Sequence, residues 1–466
     1  MRAAARVAGA LGLSALLLPV CGFTPDALHA PEAALIVTAA REFQPQAALT
    51  GKDRFPQGAH LLRWHEGKSE ELLADFAASA DANISFDGER LLFAGKKNAD
   101  DPWQIYEYTF MNGKVRKLVA SKDDLIRPFY LPGGRVVYAH RFAEGFQLEV
   151  AGEDGLPVLL AVPDDAGAHL QRISFFPGNA IPDDVLADGR ILFETNFPIG
   201  TGTTPEEMLV YSDGSGLESY RCDHQRARFG GHQLSSGDVL FTHGNSLARF
   251  HSAASNEVAV KAPLVQYAGA IAETDKGTLL VSAKNSSPAH YAVKLWRDGA
   301  ATMQSLIARA DEDVVEPVMV AQRLRPNRHP SGLHAWNYAN LLVLDARISR
   351  AGDLQNVPAM VRLESLDQSG KVQVNGEAPI ESDGSFFIKV PGDRAIRMSL
   401  IDAQGKVIRA EQGWRWIRSG EQRICVGCHT GPERSGENRV PAVLLRSTTP
   451  ADLTASATST SAQGGK

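Results

Sequence analysis

The sequence predicts a mainly β fold: an N-terminal β-propeller of six or seven blades followed by a small β-sandwich-like middle domain. Three observations predict it. A glycine turn leading into an apolar strand recurs from Asp87 to Val281, the recurrence gives way near residue 355 to tighter alternation, and no amphipathic helical stretch of comparable strength interrupts either region.

The elements follow in order. Arg2 and Arg6 precede an apolar run from Val7 to Val20, too short to span a bilayer and suited to an export signal over residues 1–22, cleaved after Gly22 or after Ala30. The expected location is the periplasm or the extracellular space, with a lipid anchor at Cys21 as the alternative to simple cleavage. No later stretch is long and apolar enough to cross a membrane. The chain carries 48 Lys and Arg against 54 Asp and Glu, a net charge of −6, which argues against nucleic acid as a partner.

In the region 40–350, Asp87-Gly88, Gly133-Gly134, Asp188-Gly189, Ser236-Gly237 and Lys276-Gly277 each introduce an apolar strand. The turn glycines lie 46, 55, 48 and 40 residues apart, the length of a four-stranded propeller blade. Outer blades are expected near 59–75 and 310–346. From 355 to 446 the strands Met360–Leu366, Phe386–Val390, Arg397–Ile401, Lys406–Arg409 and Trp414–Arg418 build the sandwich, and the Ser/Thr/Ala-rich residues 447–466 read as a disordered tail.

The chemistry concentrates in Cys425-Val426-Gly427-Cys428-His429. Two thiols three apart with an adjacent imidazole are what attachment of one c-type haem requires, thioethers forming at Cys425 and Cys428 and His429 reaching the iron. A dithiol redox pair or half a zinc site would want a βαβ context or a second ligand pair, and the sequence offers neither. Of four cysteines, only Cys222 remains after these two and Cys21, so no disulfide network is expected.

No Met follows Met398, so the haem is expected to lie between the sandwich and a propeller face and not inside a cytochrome fold of its own. Arg415, Arg418, Arg423, Arg434, Arg439 and Arg446 surround the motif, and Arg423 and Arg439 are the preferred propionate partners. Trp414 and Trp416 serve either the macrocycle or the core. A propeller loop, Cys222-Asp223-His224, offers a thiolate, a carboxylate and an imidazole, the donors a zinc ion takes, while ordinary packing of a lone Cys is the alternative.

These residues carry a resemblance. Asp383-Gly384-Ser385-Phe386, Leu400-Ile401-Asp402-Ala403-Gln404-Gly405, Gly420-Glu421-Gln422-Arg423 running into the Cys motif, and Glu437-Asn438-Arg439-Val440-Pro441 resemble the middle domain of the hydrazine synthase alpha subunit. Cys222-Asp223-His224 and Phe229-Gly230-Gly231 extend the resemblance into the propeller. It implies a haem whose motif His429 is drawn to a zinc ion shared with Cys222, with Asp223 or His224 as a further ligand. The family has a haem-ligating Tyr four residues after the motif His; this chain has Glu433 there and no Tyr beyond Tyr338, so Glu433 or His429 is the expected axial ligand. That departure, and the absence here of the further haem domain that follows in the family enzyme, argue against hydrazine synthesis itself.

The functional expectation is an exported monohaem c-type cytochrome acting as an oxidoreductase on a small molecule, with His224, His232 or His243 as proton donor. The alternatives are an electron-transfer or sensing cytochrome that docks a redox partner protein, and a propeller scaffold whose haem is structural.

Overall fold

Six four-stranded antiparallel sheets follow one another along the chain and close into a ring, in a computed structural model that describes residues 28–455 except 153–170, 176, 197–203, 222, 225, 276, 286–288, 351, 368, 429–433 and 435. The second to sixth blades each run from the innermost strand outward: Ala78–Ile84 to Lys114–Val119, Leu125–Leu131 to Gln171–Arg172, Ala180–Val185 to Glu218–Ser219, Arg228–Gln233 to Val258–Ala259, and Gln266–Asp275 to Gln304–Ile307. The first blade is composite. Its outer strands, Leu35–Ala40, His60–His65 and Lys68–Glu71, come from the start of the propeller, and its innermost strand is Asp313–Met319. Each innermost strand packs against the next around the axis, which removes exposed inner edges.

Among the described residues the blade count is therefore six. The segment 310–346, expected to form an outer blade, divides between two domains, because Asp313–Met319 completes the first blade while Tyr338–Asp345 belongs to the sandwich. Both strands are apolar and half a blade apart, so spacing alone could not separate them.

The sandwich consists of two four-stranded sheets. One has the order Gln422–Gly427, Tyr338–Asp345, Phe386–Pro391, Ala451–Asp452; the other Val372–Pro379, Met360–Leu366, Ile396–Ile401, Val407–Ala410. Leu341, Val343, Val361, Leu363, Ile388 and Leu400 fill the space between them. Trp414–Arg418 is not a strand: only Arg415 bridges to Ile396, since this segment turns away to meet the propeller. Residues 447–455 are ordered against the composition's expectation; Ala451–Asp452 pairs in parallel with Phe386–Pro391, and Leu453 is buried in the core.

Between the domains, residues 320–337 cross one face of the ring. Arg323 N–H donates to Phe86 O at 3.1 Å, Asn327 N–H to Ala187 O at 2.9 Å, and the His329 ring stacks on Tyr211 at 3.7 Å. The sandwich then docks on the fourth blade. Trp416 enters the core shared by the third and fourth blades beside Ile173 and Phe193, and Arg418 donates to Asp213 O at 2.8 Å. Gly214 has φ +84°, and a Cβ there would come 2.8 Å from the Arg418 side chain, so the turn is shaped to accept that guanidinium.

Around the axis every innermost strand carries a register shift at the same level. Asp81, Arg127 and Glu316 adopt left-handed φ of 60°, 53° and 55° there, where Gly230 and Gly269 occupy the equivalent positions of two other blades. Holding non-glycine residues in this region costs about 1–3 kcal/mol each, so the surroundings must over-determine them. They do. Glu316 accepts from Arg54 at 2.6 Å, Arg127 at 3.2 Å and Thr38 at 3.2 Å; Asp81 accepts from Arg54 and from Arg127 N–H; Arg127 also reaches Asp183 at 2.8 Å.

Candidate functional site

The cysteine peptide lies on the edge of the sandwich. Gln422–Gly427 pairs in parallel with Tyr338–Asp345, which sets Cys425 opposite Val343 and Gly427 opposite Asp345. A Cβ on Gly427 would stand 2.6 Å from Ile348 O, so only glycine lets the chain pass the 345–348 turn and bring Cys428 round to the same side. Both thiols are free and half-buried, packing with Leu354 and Ile380 against the sandwich core. Burial, the charge of Glu411 and the neighbouring Cys425 push the Cys428 thiol up to about 12, opposed by Arg415 and Arg409. His429 and Glu433 lie outside the described residues.

The arginines around the motif are largely committed. Arg423 pairs with Glu421 at 3.3 Å and donates to Leu217 O at 2.5 Å; Arg439 pairs with Asp383 and with Glu437 at 2.9 Å. Arg418 pairs with Asp393, Arg434 with Asp353 and Arg446 with Glu381. Arg409 differs: its charge acts on Cys428, it donates to Gly352 O at 2.7 Å and Arg347 O at 3.5 Å, and it has no carboxylate within ion-pairing distance among the described residues. Sequence reasoning missed it, because it stands sixteen positions before Cys425 and is carried to the motif by the strand Val407–Ala410. Trp416 is core and its Nε1–H is taken by Gly214 O; Trp414 lies under the Arg397 guanidinium.

The propeller loop expected to bind metal is only partly described, Cys222 lying outside. Asp223 accepts two bonds from Arg228, at 2.7 and 2.8 Å; burial would raise its carboxyl, but this pairing holds it below the usual range. Arg228 also meets Glu257, which His243 Nδ1 contacts at 2.6 Å, while His224 Nδ1 lies 3.8 Å from Glu206. Among the described residues no three His, Cys, Asp or Glu side chains are grouped to hold a metal ion. His243 stands opposite Arg228 at the start of the fifth blade's inner strand and His232 four residues further on, so the three candidate histidines do not converge.

A second concentration of chemistry, on the axis, went unpredicted. Burial pushes the Asp183 carboxyl up to about 6 despite Arg127, and raises Glu194 and Glu207 well above the carboxylate range, with Asp183 adding repulsion. The signal was a charged residue beside Pro or Gly in otherwise apolar strands, as in Arg127-Pro128, Pro182-Asp183 and Glu316-Pro317.

Together these features define a propeller–sandwich protein with a Cys-x-x-Cys-His peptide on the sandwich edge. Residues 342–430, which include that peptide, match the family described as hydrazine synthase alpha subunit middle domain, and in that domain the chain is similar to that family. Hydrazine synthase of Kuenenia stuttgartiensis is similar in fold, with a TM-score of 0.76 at 14% identity over 89% of this chain and 71% of that one. TolB from Acinetobacter baumannii (TM-score 0.43, 10% identity, 61% of this chain and 66% of that one) and a chain of a nidogen/laminin complex (0.42, 9%, 62% and 100%) are more distant. No curated protein matches the sequence.

Proposed function

We propose that this chain is an exported monohaem c-type cytochrome, an oxidoreductase that acts on a small molecule at a haem held between propeller and sandwich. The observation that carries the reading is the pair of free, half-buried thiols of Cys425 and Cys428, brought to one side by Gly427 within the segment that matches the hydrazine synthase alpha middle domain. The residues suit the group: two unbonded thiols, apolar Leu354 and Ile380 packed with them, and the Arg409 guanidinium, whose charge acts on Cys428. Haem bound there supplies an iron able to change oxidation state and to take a small ligand.

In this reading Cys425 and Cys428 would fix the haem to the sandwich edge, and His429 or Glu433 would hold its iron. Arg409 replaces Arg423 and Arg439 as the preferred propionate partner, because those two already hold carboxylates. A zinc ion shared by Cys222 and His429 belongs to the same proposal; His224 is the better additional ligand, since Asp223 is committed to Arg228. The substrate is a small molecule, delivered in the periplasm or outside the cell.

The test is the absorption spectrum of the protein made in a host that matures c-type cytochromes, before and after alkaline pyridine denaturation. A c-type haemochrome with a high-spin native ferric spectrum supports the proposal. A low-spin native spectrum would transfer the assignment to electron transfer, and haem lost on denaturation would overturn it.

A further inference from the structure

Separate from the cysteine peptide, the mouth of the propeller channel beneath residues 320–326 encloses a cavity of about 550 Å³, within the size range of small-molecule sites. Its walls are mainly apolar, with Phe129, Ile271 and Val318 among them, and five carboxylates also line it.

Each of those carboxylates is already occupied. Asp81 and Glu316 are taken by Arg54 and Arg127; Asp183 accepts from Arg127 and from Gly230 N–H; Asp184 from His232, Gln233 N–H and Val185 N–H; and Glu273 from the hydroxyl and N–H of Ser235. The acids therefore offer little to a cation.

The positive side is different. Arg323 lies over the Phe86 ring at 4.4 Å and gives Nε and Nη2 to Ile84 O and Asn83 Oδ1, all neutral acceptors, and it has no ion-pair partner among the described residues. Its Nη1 is unused. His232 has Nδ1 on Asp184 at 3.0 Å, which leaves Nε2 available, and its ring lies close enough to Arg323 for the two charges to act on each other. Burial pulls Arg323 below its ordinary range, with Asp184 opposing; burial lowers His232, but Asp184 and Glu273 raise it more, a net rise. Arg323 and His232 both line this mainly apolar cavity, and a guanidinium without an ion-pair partner beside an imidazole N–H suits an anion with an apolar body.

We propose that the propeller channel mouth binds a small organic monocarboxylate, its carboxylate between Arg323 and His232 and its hydrocarbon part among Phe129, Ile271 and Val318. The site is independent of haem.

The full chain is titrated by calorimetry with octanoate and, separately, with octylammonium. Octanoate is expected to bind saturably with one site per chain and octylammonium not to bind. Arg323→Gln should weaken octanoate at least tenfold, and Ala270→Trp, which fills the cavity from a lining position, should abolish binding while the thermal transition is kept. Should Arg323→Gln disturb the segment crossing the ring, His232→Gln reads the same donor pair. Absence of saturable octanoate binding, equal binding of octylammonium, or undiminished affinity in a folded Ala270→Trp chain would each overturn the proposal.

Discussion

The indole N–H of Trp416 donates to the carbonyl of Gly214 at 3.0 Å, joining the sandwich to the fourth blade through a ring that is 1% exposed. Phe175 and Phe193 flank it at 6.2 and 6.5 Å, so one side chain serves as core for two domains. Trp416→Ala should cost about 3–5 kcal/mol. It should also uncouple the domains, giving two denaturant transitions in place of one; a single unshifted transition would show that the junction contributes nothing.

At the cysteine peptide, a Cβ on Gly427 would stand 2.6 Å from Ile348 O and 2.8 Å from Ile348 Cβ, closer than any Cβ tolerates. Gly427→Ala should displace Cys428 from Cys425 and sharply lower the yield of covalent haem in a maturing host, with the propeller still folded. Haem staining after denaturing electrophoresis, alongside circular dichroism, checks both halves; full haem loading would refute it.

Stability should fall as pH rises above about 4. Asp183 titrates near 6 in the folded chain against about 3.9 unfolded, so between those values the folded state holds the extra proton and is favoured at the lower pH. Glu194 and Glu207 extend the window upward, and His232, raised by Asp184, acts in the same direction. The thermal midpoint should therefore be higher at pH 5 than at pH 8, and Glu194→Gln with Glu207→Gln should flatten the difference. A midpoint that rises from pH 5 to pH 8 would contradict the burial described.

Asp383 has the opposite sign. Burial would raise its carboxyl, but bonds from Ser385, Ala442 N–H and Arg439 hold it at about 2, so its contribution is present above about pH 4 and is lost as pH falls toward 2. Asp383→Asn should speed hydrogen exchange at Leu444 and Ser447 at pH 7 by loosening the chain from Arg439 to Ser447. Unchanged exchange would show that the helix Ala442–Arg446 is held elsewhere.

The propeller was legible because each blade repeats one local event, a glycine turn before an apolar strand, and Asp188-Gly189 or Ser236-Gly237 announces it without reference to the rest of the fold. Closure was not, because pairing Ile36 with Val318 depends on contacts across nearly the whole propeller. The strand holding Cys425 was also hidden: it opens on the polar pair Gln422 and Arg423, and it is a strand only by virtue of Tyr338–Asp345 beside it. Arg423 and Arg439 looked available on charge alone, whereas their acidic partners Glu421 and Asp383 are fixed by the fold.

The composite first blade has a consequence for how the ring comes into being. Thr38 and Glu316, and Phe43 and Asp313, are bonded across a seam whose halves are made at opposite ends of the propeller sequence. A chain threaded amino end first through a narrow pore would present five blades as an open crescent before the strand that zips them arrives. The last segment to emerge before the sandwich is thus the latch, and any ligand that needs the finished channel must wait for it.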